Sequence, residues 1–219
     1  MQNMEGLHMY RIYRRIEKHA VCLSLMLALA LAMVLTFGIC RRAEAAAETR
    51  LQEHLAGEVF RFHVLANSDS DEDQALKLKV RDAVLAFLEE QMPEAEDAEE
   101  STRWVRARID QIEELSREVV AENGKDYPVS AAVTTCWFPD RTYGDLTFPA
   151  GNYEALRIEI GDGAGHNWWC VLYPGLCFLD TTNAVVPEEG KKKLKNVLTE
   201  EEYAGITAGS DFRIGWYFW

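Results

Sequence analysis

The 219-residue chain has no internal repeat, no low-complexity linker apart from the alanine-rich stretch 43–47, and no basic stripe interleaved with aromatics. Acidic residues outnumber basic ones 36 to 23, a formal charge of −13. A polyanion would approach against that field, so nucleic acid is not an expected partner. A metal triad, a paired acid/base set and a nucleophile elbow are also missing, so no catalytic residue, metal or cofactor is expected. Cysteine is scarce, at five residues. Cys22 and Cys40 fall in or beside a long apolar run, which leaves Cys136, Cys170 and Cys177 for the rest of the chain.

That apolar run is the first positive feature. Ala20 to Cys40 carries no charge and is rich in Leu, Ala, Met and Val. A helix rises about 1.5 Å per residue, so some twenty residues cross the roughly 30 Å hydrocarbon core. Arg11, Arg14, Arg15 and Lys18 precede the run and only Arg41 and Arg42 follow it, which favours a cytoplasmic N-terminus and an exported remainder. Ala45 and Ala47 complete A-x-A-like cleavage candidates, although the run exceeds the roughly 7–15 residues of an ordinary signal core. A signal peptide and a retained membrane anchor both fit. The expected organisation is a basic cytoplasmic segment 1–19, a membrane or signal helix 20–40, a linker 41–57 and a single exported domain 58–219. The residues after Ala45 carry a formal charge of −16 and suffice for one domain with a real core.

Within that domain the hydrophobic periods predict an α+β fold: one strand, two helices, then a mostly antiparallel sheet. Phe60, Phe62, Val64 and Ala66 alternate with Arg61, His63 and Leu65, the pattern of a strand with one face on a core. Asn67, Ser68, Asp69, Ser70 and Asp71 offer oxygens to cap a helix, whose stripe Leu76, Val80, Ala83, Val84, Phe87 and Leu88 runs on to about Gln91. Trp104, Val105, Ile109, Ile112, Leu115 and Val119 predict one long second helix stopped by Asn123 and Gly124. Strands are then expected over Val129–Phe138, Leu146–Phe148, Tyr153–Ile160, Trp168–Tyr173 and Leu176–Asp180. A last strand is expected over Phe212–Trp219, where Trp216, Tyr217, Phe218 and Trp219 exceed what one sheet face can bury and offer a docking patch. Lys191, Lys192, Lys193 and Lys195 read as a solvated face.

Two blocks carry a family likeness. The first is FRFHVLANSDSDEDQALKLKVRDAVL, Phe60 to Leu85. The second runs from Tyr143 to Asp180 and contains Y-G-D, P-A-G-x-Y-E-A-L-R, N-W-W-C-V-L and L-C-F. Together they resemble the stage II sporulation protein R (SpoIIR) family over roughly residues 58 to 218. The resemblance implies a sporulation signalling protein that is not itself an enzyme. It would be exported across the forespore membrane into the intermembrane space, to activate a membrane-embedded aspartic protease of the SpoIIGA type that processes pro-sigma-E in the mother cell. Unusual polar and aromatic positions in the matching blocks are the expected contacts: Arg61, His63, Asn67, Ser68, Asp69, Trp168, Trp169 and Tyr173.

Two chemical readings compete with that one. Asp69, Asp71 and Asp73 resemble the start of a calcium loop, but Gln74 stands where the turn needs glycine and Val80 where a bidentate acid is required, so a helix cap explains them better. An exported cell-wall or peptide hydrolase would use Cys170 as nucleophile, His166 or His63 as base and Asn67 to orient it. Cys170 lies instead in the apolar strand Trp168–Leu172, away from any helix N-terminus that would lower its pKa. A disulfide is the simpler reading for one pair of the three exported thiols. Cys170 with Cys177 would be a diagonal, imperfectly aligned pair across a Pro174–Gly175 turn, and Cys136 with Cys170 is the rival pairing.

Overall fold

The computed structural model describes residues 2–178, 186 and 188–208. It divides into two units, Met1–Thr49 and Arg50–Trp219. Helix α1, Gln2–Glu58, contributes to both. In the first unit its apolar window has a mean hydropathy of 2.6 and none of it is buried, so Leu, Val, Met, Phe and Ile side chains from Val21 to Ile39 are exposed. Such a helix fits a signal or membrane anchor.

The second unit is α+β, with elements β1 (Phe60–Leu65), α2 (Asp71–Gln91), α3 (Ala98–Arg106), α4 (Ile109–Glu122), β2 (Val129–Phe138), β3 (Arg141–Tyr143), β4 (Leu146–Phe148), β5 (Gly151–Ile160), β6 (Asn167–Tyr173), α5 (Glu188–Val197) and α6 (Glu200–Ala208). Four strands form one sheet in the order β2-β5-β1-β6, and β3 and β4 pair separately as a hairpin. The β2–β5 and β1–β6 ladders are antiparallel, as expected, but the central β1–β5 pair is parallel. Helices α2 to α4 lie in the long connection between β1 and β5, which is what a parallel neighbour requires.

Every residue of β1 is buried, because this strand is central and both faces of the sheet are covered around it. On one face Phe62, Val64, Leu156 and Ile158 pack against Leu76, Val80 and Val84 of α2, Val105 of α3 and Ile112 of α4. On the other, Ala155 and Val171 join Phe138, Leu146, Phe148 and Tyr153 with Leu194 of α5 and Ile206 of α6 in a second core. The alternation in β1 therefore separates two cores, and does not separate core from solvent.

Local chemistry sets the helix limits. Ser70 caps α2 by accepting from the Asp73 amide at 3.2 Å, and α2 ends at Gln91. Asp97 caps α3 by accepting from the Glu100 amide at 2.7 Å, while Glu100 reaches back to the Glu96 amide at 2.9 Å. The single second helix expected from the periodicity is broken at Ala107 and Arg108. Apolar three- and four-residue steps survive a two-residue turn, so the pattern does not register the break. Arg108 folds back over the Trp104 ring at 4.0 Å to hold it.

Residues 41–57 are helical and do not form a linker. Leu55 is fully buried in the second core with Leu51 and Ala56 against it, Gln52 donates to the Asn152 carbonyl at 3.0 Å, and His54 meets Glu202 at 2.9 Å. Their apolar spacing is too short for the sequence pattern to separate from the alanine-rich stretch before it. Leu176–Phe178 forms a 3-10 turn where a strand was expected. The expected final strand Phe212–Trp219 and its aromatic patch lie outside the described residues.

Leu55→Ala is expected to lower the unfolding free energy by roughly 2–5 kcal/mol, the range for a large-to-small change in a close-packed core. Chemical denaturation of the full chain in detergent measures it. A change below about 0.5 kcal/mol is the surface value and contradicts the packing of α1's last turns into the domain.

Candidate functional site: a cationic, aromatic sheet face

Arg61 and His63 point to the face opposite α2 to α4, since Phe60, Phe62 and Val64 point toward those helices. Arg61 is fully buried. Its guanidinium lies 4.0 Å from the Phe138 ring, 4.8 Å from Tyr153 and 5.8 Å from Phe148, and one nitrogen donates to the Tyr143 hydroxyl at 3.1 Å. Its Nε and Nη1 have no hydrogen-bond partner among the described residues. Burial lowers the Arg61 pKa, Arg141 adds to that effect, and only the Tyr143 and Tyr153 hydroxyls oppose it. Burial in turn pushes the Tyr153 phenol up to about 12.

His63 follows two residues along. Its ring stacks on Trp169 with centroids 4.9 Å apart and planes at 12°, and it tilts against Phe138 at 5.2 Å. Neither ring nitrogen has a partner among the described residues. Burial, then the neighbouring charges of Arg157 and Arg61, lower its pKa to about 4, so the ring is neutral near pH 7. Arg157 pairs with Glu159 at 2.5 Å, and Arg141 lies 5.8 Å from the Trp169 ring. Three arginines thus gather on one face of an acidic chain. The half of this face beyond the hairpin, with Ala132, Thr134 and half-buried Arg157, is not covered by any described element.

The expected contacts separate into different places. Trp168 faces the helices, edge-on to Phe62 at 5.4 Å and beneath Arg81 at 5.1 Å, while Trp169 is on the cationic face. Tyr173 is buried at the end of β6 and donates to the Glu96 carbonyl at 2.5 Å. Asn67, Ser68 and Asp69 are occupied within the fold. The Asn67 side-chain oxygen accepts from the Asp162 amide at 3.0 Å, and its nitrogen donates to Asp73 at 2.8 Å. Ser68 donates to the same Asp73 oxygen at 2.5 Å, and these two donors hold the Asp73 carboxyl below the usual range. Asp69 accepts from the His166 amide at 2.6 Å and meets the His166 ring. The turn after β1 is thereby tied to the loop between β5 and β6. Gly161 permits this at φ +60°, where a side chain would also strike Asn67.

Cys170 and Cys177 form a disulfide with Cα atoms 5.5 Å apart, and Cys136 is a free, half-buried thiol. Cys170 is opposite Phe62 in the ladder, on the helix face, whereas His63 is on the other face. His166 is held by Asp69, and Asn67 by Asp73 and Asp162. The thiol, base and orienting group of a cysteine hydrolase are not brought together. Sequence reasoning missed Phe138, Tyr143, Phe148, Tyr153, Arg141 and Arg157 as parts of the face. The available signal was an arginine in a strand flanked by large apolar residues, which calls for aromatic or acidic company.

Comparison with known proteins follows the same stretch. The stage II sporulation protein R family (spore_II_R) matches residues 56–183. Stage II sporulation protein R of Bacillus subtilis (strain 168) is 34% identical over 192 residues, covering 87% of this chain and 84% of its own length. No solved structure matches. The chain belongs to the stage II sporulation protein R family.

Two outcomes test the buried cations. Arg61→Met keeps a long apolar stem under the rings and removes a buried charge that the rings and Tyr143 offset only in part, so unfolding stability is expected to be unchanged or higher. Arg61→Ala leaves a void and is expected to lose roughly 2–5 kcal/mol. For His63 the folded pKa, about 4, lies below the ordinary value of about 6.5. The unfolded chain then binds more protons between these pH values, so stability falls as pH drops from about 6.5 to 4 and this contribution levels off below. The full drop is on the order of 3 kcal/mol, measured as the difference in pH-dependent denaturation between the wild type and His63→Phe. Equal slopes in the two proteins contradict the assignment.

Proposed function

We propose that this member of the stage II sporulation protein R family is an exported sporulation signal that binds and activates a membrane-embedded aspartic protease of the SpoIIGA type, which processes pro-sigma-E in the mother cell. Family membership over the folded unit is the observation that carries this reading, and the apolar N-terminal helix supplies the means of crossing or holding to a membrane. Export across the forespore membrane and delivery to the intermembrane space belong to the same proposal. A signal needs a presented surface and no chemistry of its own. In our reading the uncovered half of the cationic face, with Thr134, Arg157 and Trp169, makes the contact together with Arg141 of the hairpin. Arg61 and His63 support it from beneath, and Asn67, Ser68 and Asp69 hold the adjoining loop in place. Activation requires that the signal bind the active conformation or dimer of the protease more tightly than the inactive one. A few aromatic and arginine anchors commonly supply most of the energy of such a contact.

Co-expression with the protease and pro-sigma-E in a non-sporulating host tests the reading. Processing is expected to depend on this protein and to survive the paired replacement Cys170→Ser with Cys177→Ser. It is expected to fall at least tenfold with Trp169→Ala combined with Arg157→Glu, at unchanged export. Absence of processing with the wild-type chain overturns the activator role. Full processing with the double face variant overturns only the contact surface.

A further inference from the structure

A concavity lies at the end of β6, where the helix-side elements meet α5, and no residue of the cationic face lines it. A cleft of about 490 Å³ opens where the end of α2, the Pro93–Ala95 bend, α3, the end of β6 and the start of α5 meet. That volume is within the range of sites that enclose a small ligand or a partner's side chain. Its walls are apolar at Leu88, Met92 and Leu172 and acidic at Glu89, Glu94 and Glu189.

Two observations give the cleft a chemistry. Ser101, in its lining, is fully buried, and the hydroxyl has no hydrogen-bond partner among the described residues. A buried hydroxyl left unpaired is costly, so an occupant that offers it a polar partner gains more than a surface hydrogen bond would. The chain's own Lys193 shows what the cleft accepts. Its ammonium is 3.2 Å from Glu94, donates to the Ala95 carbonyl at 3.3 Å and lies 5.7 Å from the Tyr173 ring. Three carboxylates line the cleft against this one ammonium, so a net negative charge is left for a further cation.

We propose that the cleft binds a basic side chain, arginine or lysine, carried on an extended segment of a partner protein. The aliphatic stem lies along Leu88, Met92 and Leu172, the cation joins Glu89 and Glu189, and the Ser101 hydroxyl, which the lining covers in this structure, pairs with a peptide group of the segment once the lining side chains part around it. The proposal is independent of the protease reading, because it uses no residue of the cationic face.

The test titrates N-acetyl-arginine methylamide into the full chain in detergent and follows the amide resonances of Ser101, Gly175 and Gly190, with N-acetyl-norleucine methylamide as the uncharged control. Saturable shifts at these three amides with the arginine compound are expected. Affinity is expected to be at least tenfold weaker for the norleucine compound and for the Glu89→Gln/Glu189→Gln variant, and severalfold weaker for Ser101→Ala. Equal affinity for the two compounds overturns the proposal. So do shifts that spread without saturation over the acidic surface of α4, and so does the absence of any shift at the three amides.

Discussion

A single guanidinium, that of Arg61, organises one side of this domain. The strand that carries it is central in the sheet and the hairpin lies over this part of the face, so its side chain has no route to solvent and must find its company inside. That company is aromatic: Phe138 from the end of β2, Tyr143 and Phe148 from the hairpin, and Tyr153 from β5. Ring faces attract a cation more weakly than a carboxylate does, but they carry no competing hydration cost. A planar guanidinium stacks on several rings while one edge donates to Tyr143, an arrangement a lysine ammonium cannot reproduce. The hairpin β3–β4 is not hydrogen-bonded into the main sheet, and a two-stranded hairpin alone is marginal in water. Its packing over Arg61 and the second core is therefore what holds it in place.

The helix side follows a different logic. There the helices bring mostly aliphatic residues on regular helical spacing against Phe60, Phe62 and Trp168 of the sheet, and polar groups serve the joints. Asn67 and Asp69 connect the turn after β1 to the loop at 161–166 while Ser68 ties the turn to α2 through Asp73, so the two central parallel strands and the edge strand β6 are clamped at one end. At the other end the Cys170–Cys177 disulfide ties β6 to the turn that follows it. With both ends of β6 secured, Trp168 and Trp169 are held to opposite faces: one completes the helix-side core and the other stacks on His63. Rigid display of this kind leaves little conformational freedom to be lost on binding, as the proposed signalling contact requires.

Much of the architecture was legible without coordinates. The α+β order, the cap and extent of α2, the strands β2, β4, β5 and β6, and the apolar N-terminal helix all follow from period-two or period-3.6 spacing and from capping chemistry. Errors arose where two structures share one pattern. Periodicity ran through the Ala107–Arg108 break, and the alternation of β1 read as core against solvent when it was core against core. Asn67, Ser68 and Asp69 stood out as unusual polar residues, yet what makes them unusual is internal bonding, locally to Asp73 and across the fold to Asp162 and His166, partners too distant in sequence for spacing to reveal.

Sequence by itself determined most element types between Phe60 and Tyr173, the membrane-competent helix and the family, because these depend on local spacing, on a long uncharged run and on residues matched in order. Tertiary structure alone decided that β1 is central and β1–β5 parallel, that Arg61 is caged by rings from four other strands, that Cys170 pairs with Cys177, and that Glu89, Glu94, Glu189 and Ser101 share one cleft. Each of these joins groups separated by turns or whole elements. Their energies come from burial and contact, which no period along the chain encodes.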